Sequence, residues 1–224
     1  MAFIFLGLSF IFAVLNWAAV YDAYKVKRRL EIIAKPAMII CLFLYFLTAR
    51  GQSPILLWFG LAILFSAAGD IFLLLPGNRL LAGLFAFLLA HICYIIGFNT
   101  PLPPLTSWGL LFAVTYALMA TRLYRRIAAA LTMKGLQRLK TPVLIYTIVI
   151  TLMLLSATQT LSHPNWKPWP AAMVFLGAGL FFFSDVNQAL YRFEAPSRRG
   201  RFLIMLTYQL GQIALVAGAI LQFQ

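Results

Sequence analysis

Charge is what this sequence is short of. Only 10% of its 224 residues are charged while 63% are hydrophobic, and a water-soluble domain typically carries about 25% charged residues. With so little charge the chain cannot cover a surface that faces water. Acids are scarcest of all: Asp22, Glu31, Asp70, Asp185 and Glu194 make up the whole set of five. Cysteine is nearly absent, and Cys41 and Cys93 both fall inside apolar runs, so there is no CxxC pair and no secreted disulfide framework. The two histidines, His91 and His163, are too few for a zinc site of three imidazoles. One His with two Asp remains open as a metal site. No GxSxG elbow, Walker loop, HExxH or Gly-rich dinucleotide fingerprint occurs, which removes most serine-hydrolase and nucleotide chemistry.

What the chain has instead is long apolar runs. A bilayer crossing takes roughly 20 apolar residues, so the length divides into about eight crossings with short loops. The runs predict helices over about 2–21, 35–49, 55–75, 80–98, 107–121, 142–161, 170–191 and 202–222, and the second and fifth are short. Turn chemistry separates them: Ser53-Pro54, Pro76-Gly77-Asn78, Pro101 with Pro103-Pro104, Pro164, Pro168 and Pro196. The expectation is an all-α polytopic bundle, a single integral membrane domain over residues 1–224. The N-terminus is apolar from Met1, with its basic cluster after the run, and this reads as a retained helix.

The net charge of +13 would point to nucleic acid in a soluble protein, but here the basic residues lie between apolar runs. Every Lys and Arg except Arg50 and Lys167 follows an odd-numbered helix. By the positive-inside rule the basic loops face the cytoplasm and both termini the opposite side, with no nucleic-acid partner expected. Trp58, Trp108, Trp166 and Trp169 fall near the outer boundary, where indoles favour the interface. The expected setting is a bacterial inner membrane, with the site in its cytoplasmic half.

That orientation brings Asp70, late in helix 3, and Asp185, late in helix 7, to one level. Each is about 10 Å or less from the cytoplasmic end of its helix. A charged group in hydrocarbon costs about 3 kcal/mol or more and normally faces the bundle interior for a function. The plainer alternative is an ion pair with Lys35 or Arg79, or a protonated acid bonded to a neighbouring helix. Asp22, Glu31 and Glu194, at helix ends or in basic loops, read as surface charges, although Asp22 is placed to line a mouth. Asn16, Lys35, Tyr146, Ser66, Asn187, Tyr208, Gln209 and Gln212 fall at similar depth. His91 lies near mid-depth in helix 4, with Tyr94 three residues on. Singly, such groups usually hydrogen-bond between helices, but together they imply a polar cavity opening toward the cytoplasm. There is also a hint of duplication. Helices 1–4 and 5–8 share orientation, with a basic segment and Pro at the start of each second helix and an aspartate late in each third.

The segments Lys35-Pro36, Gly69-Asp70 and Gly83-x-x-x-Phe87-x-x-Ala90-His91-x-x-Tyr94, then Pro142-Val143-x-x-Tyr146, Gly177-Ala178-x-Leu180-Phe181-x-x-Ser184-Asp185 and Gln209, resemble the YhhN-like lysoplasmalogenase family of membrane proteins. The likeness runs from helix 2 to helix 8. It implies about eight helices, hydrolysis of the vinyl ether bond of lysoplasmalogens to a fatty aldehyde and a glycerophospho-base, a lysophospholipid partner within the membrane, and essential roles for Asp70 and Asp185. The residues permit a scheme with no metal and no cofactor, in which one carboxyl donates a proton and the other carries the counter-charge. Tyr146, Gln209 and His91 are candidates to place water or fix the acids. Lys35, with Arg79 or Arg192, is the candidate for the lipid phosphate; Asn16 and Tyr94 are supporting candidates. Two rival readings stand beside it: a proton-coupled transporter using the same aspartates, and a metal-dependent hydrolase using Asp70, Asp185 and His91.

Overall fold

The computed structural model describes residues 1–21, 25–77, 79–104, 106–194 and 198–224, and all of their side chains except those of 25–28 and 198. Asp22, Asn78 and Pro196 lie outside the described residues. The described residues form eight α-helices: α1 (Ala2–Tyr21), α2 (Lys25–Ala49), α3 (Leu56–Leu74), α4 (Leu80–Phe98), α5 (Ser107–Met133), α6 (Lys140–Gln159), α7 (Pro168–Phe193) and α8 (Arg198–Phe223). No strand occurs among the described residues. All but α5 are long and apolar enough to cross a membrane. The outside of the bundle is apolar too, with Phe3, Ile33, Leu57, Phe85, Leu110 and Leu176 each more than half exposed. Lipid tolerates such a surface and water does not. The protein is an all-α integral membrane protein.

Two helices depart from their expected bounds, for physical reasons. Helix α2 begins at Lys25, ten residues before the expected start, and runs straight through Pro36. Proline inside a membrane helix is tolerated because neighbouring groups satisfy the backbone that it frees. Helix α5 continues twelve residues past 121. Its basic stretch is amphipathic, and Ile127 and Leu131, one turn apart, bury themselves against Leu139, Val143 and Phe193 in a small cluster apart from the main core. The apolar run stops where the charges start, but the helix does not.

Helix α8 is the axis of the packing and touches α1, α2, α3 and α7, while α6 joins α4, α5 and α7. The α7–α8 contact is close because glycines face each other. A Cβ on Gly177 would meet the Gly211 carbonyl oxygen at 2.9 Å, and one on Gly211 the Gly177 carbonyl oxygen at 2.9 Å. The alternation of the helices is visible at both ends. At one, Gln224 Nε2 donates to the Ala49 carbonyl, Lys167 N donates to Gln222 Oε1 at 2.9 Å, and His163 Nε2 lies 3.3 Å from the Pro101 carbonyl. This end therefore gathers the connections after α2, α4 and α6 with the C-terminus. The opposite end carries the ion pairs Arg126–Glu194 and Arg201–Glu31. Trp108 and Trp169 are exposed at the first end, but Trp166 is buried against Phe98 and Phe223, so its indole serves the core and not the interface.

Candidate active site

A cavity of about 240 Å³ opens among α2 to α8 toward the basic end, and both Asp70 and Asp185 line it. Their surroundings differ. Asp70 is 1% exposed. Its Oδ1 faces the Lys35 ammonium at 2.7 Å, and its Oδ2 accepts from the Tyr208 hydroxyl at 2.9 Å. The ammonium also stands 5.7 Å over the Tyr208 ring. Asp185 is more open, with 18% of its side chain exposed. Its Oδ2 accepts from the Tyr146 hydroxyl and lies 3.3 Å from His91 Nε2, which is itself 3.0 Å from that hydroxyl. Its Oδ1 has no partner among the described residues.

The floor between the acids is aromatic. The rings of Phe181 and Tyr208 pack edge-on at 5.2 Å, His91 and Phe181 at 4.8 Å, and Phe87 and Tyr208 at 5.9 Å. Phe87 comes this close to α3 because residue 69 is glycine, where a Cβ would stand 2.7 Å from the ring. The small residue before Asp70 is therefore part of the site's construction. On the other side Ser184, before Asp185, donates to the Ile204 carbonyl at 2.9 Å and ties α7 to α8.

The donors reach the acids reciprocally. Asp70, on the third helix, is bonded by Lys35 of the second and Tyr208 of the eighth. Asp185, on the seventh, is bonded by Tyr146 of the sixth and by His91 of the fourth. Each half of the chain thus supplies one acid, a partner from that half's own second helix, and a partner for the acid of the other half.

Of the residues singled out in the sequence, Lys35, Asp70, Tyr146 and Asp185 line the cavity, and His91 stands behind Asp185. Tyr94, Gln209 and Asn16 do not line it. Tyr94 donates to Gln212 Oε1 at 2.8 Å, Gln212 donates to Ser66 Oγ at 2.8 Å, and Gln209 donates to Asn16 Oδ1 at 3.4 Å. These groups form two buried interhelical sets, Tyr94–Gln212–Ser66 and Gln209–Asn16, so the common level of polar residues resolves into an open site and bonds outside its lining. Arg192 lines the cavity and Arg79 does not. Lys35 is not an unpaired phosphate clamp, because Asp70 occupies its ammonium.

Glu31 and Arg201 also line the cavity, and the sequence reading placed Glu31 among the surface charges. Once α2 extends through Pro36, Glu31 sits four residues before Lys35 on the same face. Arg201 likewise precedes Tyr208 by two turns. As for a metal, no three His, Cys, Asp or Glu side chains converge among the described residues. Lys35 claims Asp70, and His91 with Asp185 makes only two donors, so the residues do not fit the three-ligand set of the metal-dependent reading.

Comparison with known proteins extends this picture. The YhhN family model matches residues 30–219. A human protein, "Lysoplasmalogenase TMEM86A", is 30% identical over 190 residues, covering 81% of this chain and 75% of the human one. No solved structure matches. The matched stretch runs from the turn that carries Glu31 to near the end of α8 and takes in both acids with their partners Lys35, Tyr208, Tyr146 and His91, and the chain belongs to the YhhN family.

Proposed function

We propose that this protein hydrolyses the vinyl ether bond of lysoplasmalogens, giving a fatty aldehyde and a glycerophospho-base. The observation that carries the reading is the pair of carboxylates, from α3 and α7, on one largely apolar cavity inside a membrane bundle. The family membership and the human lysoplasmalogenase relative support it.

The unequal surroundings divide the roles. Asp70, held by an ammonium and a hydroxyl, carries the fixed negative charge. Asp185 is the general acid. With Oδ2 occupied by the Tyr146 hydroxyl and His91, Oδ1 is the oxygen that delivers the proton. The tautomer of His91 that fits is the one protonated at Nε2. That nitrogen faces two oxygens, whereas Nδ1 is buried without a partner among the described residues, and an unpaired lone pair is a lesser burden there than an unpaired N–H. Asp185 Oδ1 protonates the β-carbon of the vinyl ether, which leaves an oxocarbenium ion at the carbon bonded to oxygen. The Asp70 carboxylate stabilises that cation electrostatically. Water adds to the cation and returns a proton to Asp185, and the hemiacetal collapses to aldehyde and alcohol as the glycerol oxygen regains a proton. The balance is one water consumed and one C–O bond broken, the two-carboxylate logic of glycosidases.

The lipid enters from the bilayer, with its headgroup at the basic end. We place that end at the cytoplasmic face of a bacterial inner membrane and both termini on the opposite face, because all basic residues but Arg50 and Lys167 follow odd-numbered helices.

The test is mass-spectrometric detection of free aldehyde from a defined lysoplasmalogen and the purified protein. Asp185→Asn and Asp70→Asn should each lower the rate by at least ~10² while the protein still inserts. Near-full activity in either variant removes the mechanism. Asp-dependent flux of an unaltered solute across sealed vesicles, without aldehyde, would identify a transporter instead.

A further inference from the structure

The mouth of the cavity holds a second charged pair that the chemistry above does not use. Glu31 is 7% exposed and lines the cavity together with Arg201. Both oxygens of Glu31 accept from one guanidinium nitrogen, Arg201 Nη2, at 2.6 Å each. This geometry is lopsided. An arginine matched to a carboxylate makes two parallel bonds through two nitrogens, as Arg126 does in this protein, donating from Nε at 2.7 Å and Nη2 at 2.6 Å to the two oxygens of Glu194. Arg201 Nε and Nη1 have no partner among the described residues, and its side chain is 47% exposed.

We propose that this pair is a headgroup site selective for a primary ammonium. Arg201 binds the lipid phosphate through its unused N–H groups, and Glu31 binds the ethanolamine ammonium. The proposal rests on the lysophospholipid reading given above. A zwitterionic headgroup presents an anion and a cation a few bonds apart, and the mouth presents their complements side by side. Glu31 and Arg201 stand one and two helical turns, roughly 6 and 10 Å, toward the helix ends from Lys35 and Tyr208. An extended three-carbon glycerol spans that separation with its vinyl ether at the acids.

The lining argues against choline as the better ligand. A quaternary ammonium has no N–H to donate and is held by several ring faces. Phe87 and Tyr208 pack edge-on to each other, Tyr146 packs against His91, and Phe193 is buried in the α5–α6 cluster. Among the described residues Tyr191 is the remaining aromatic side chain of the lining, and one ring does not make a cage. A carboxylate, by contrast, accepts charge-assisted hydrogen bonds that only a primary ammonium supplies.

Saturated 1-O-alkyl lysophospholipids cannot be hydrolysed by this chemistry, so they test the headgroup apart from the reaction. Their binding to the full-length protein in detergent, ethanolamine against choline, should favour ethanolamine by about 10-fold or more. Glu31→Gln should bring the ratio near one, and Glu31→Asp should keep most of it. Arg201→Gln should weaken both lipids. The ratio compares two ligands on one preparation, so a misfolded fraction cancels. Equal affinities in the wild type, or an unchanged ratio in Glu31→Gln, overturn the ammonium assignment; unchanged affinities in Arg201→Gln overturn the phosphate assignment. A retained preference without aldehyde release defeats the hydrolase reading alone. Aldehyde release with a ratio of one defeats the headgroup site alone.

Discussion

Lys35 and Asp70 offer a way to separate what an ion pair does for the fold from what it does for the site. Their charged atoms are 2.7 Å apart, with side chains 7% and 1% exposed. Removing one partner leaves the other as an uncompensated buried charge, a loss of about 3–5 kcal/mol. For a domain of this length that is a fall in melting temperature on the order of 10 °C. Lys35→Met and Asp70→Leu should each show it in thermal scans of the detergent-purified protein. The double variant should not show the sum, because a buried ion pair replaced by apolar groups of similar volume is often neutral or stabilising. It does strand the Tyr208 hydroxyl, which donates to Asp70 Oδ2, at about 1–3 kcal/mol. The apolar comparator is therefore the triple variant with Tyr208→Phe, expected to melt close to wild type. That protein should be well folded and at least ~10² less active toward the vinyl ether, for want of the counter-charge. Additive losses in the double variant would refute the pairing argument. Full activity in the stable triple variant would reduce Asp70 to a structural residue.

Two further outcomes follow from the packing and the surface charge. Gly211→Ala should destabilise by about 1–3 kcal/mol through overpacking, since its Cβ would meet the Gly177 carbonyl oxygen at 2.9 Å and the Phe181 amide nitrogen at 3.0 Å. Gly179→Ala, with nothing within 4 Å of its Cβ, should be neutral or slightly stabilising in the same thermal scans. At the basic end, the Arg126 guanidinium holds the Glu194 carboxyl below its ordinary value of 4.5. A depressed carboxyl contributes its stability above the unfolded value and loses it as the pH falls through the folded one. Wild type should therefore melt slightly above Glu194→Gln at pH 7, and the two should converge in acid; a gap that widens in acid would contradict the pairing.

The membrane class, the helix number and the two acids were legible because each leaves a local mark. Apolar runs have a length, basic residues alternate with helix parity, and a lone aspartate within an apolar run stands out against its neighbours. The extents of α2 and α5 were hidden for the opposite reason. Both elements pass from lipid-facing to amphipathic sequence, and an apolar-run criterion ends them where charge begins. That error hid Glu31: with helix 2 starting at 35, a residue four positions earlier falls in a loop and shares no face with Lys35. Depth alone likewise could not separate Tyr146 and Tyr208, which touch the acids, from Tyr94, which bonds to Gln212, and from Gln209, which bonds to Asn16. Rotation about the helix axis decides between those fates, and in a helix buried on several sides the apolar pattern carries little rotational information.

The reciprocal wiring of the acids connects these strands. Asp70 and Asp185 sit on helices of different halves, yet neither half completes the bonding of its own acid: α8 sends Tyr208 to Asp70, and α4 sends His91 to Asp185. The two donor helices are locked together below the cavity by Tyr94 and Gln212, with Ser66 of α3 as the last acceptor. A shift of α4 against α8 would therefore disturb both acids at once, in opposite halves of the site. Tyr94 and Gln212 are fully buried and do not themselves line the cavity. The Tyr94–Gln212–Ser66 chain thus joins α4, α8 and α3, the helices that carry His91, Tyr208 and Asp70, one turn away from those residues.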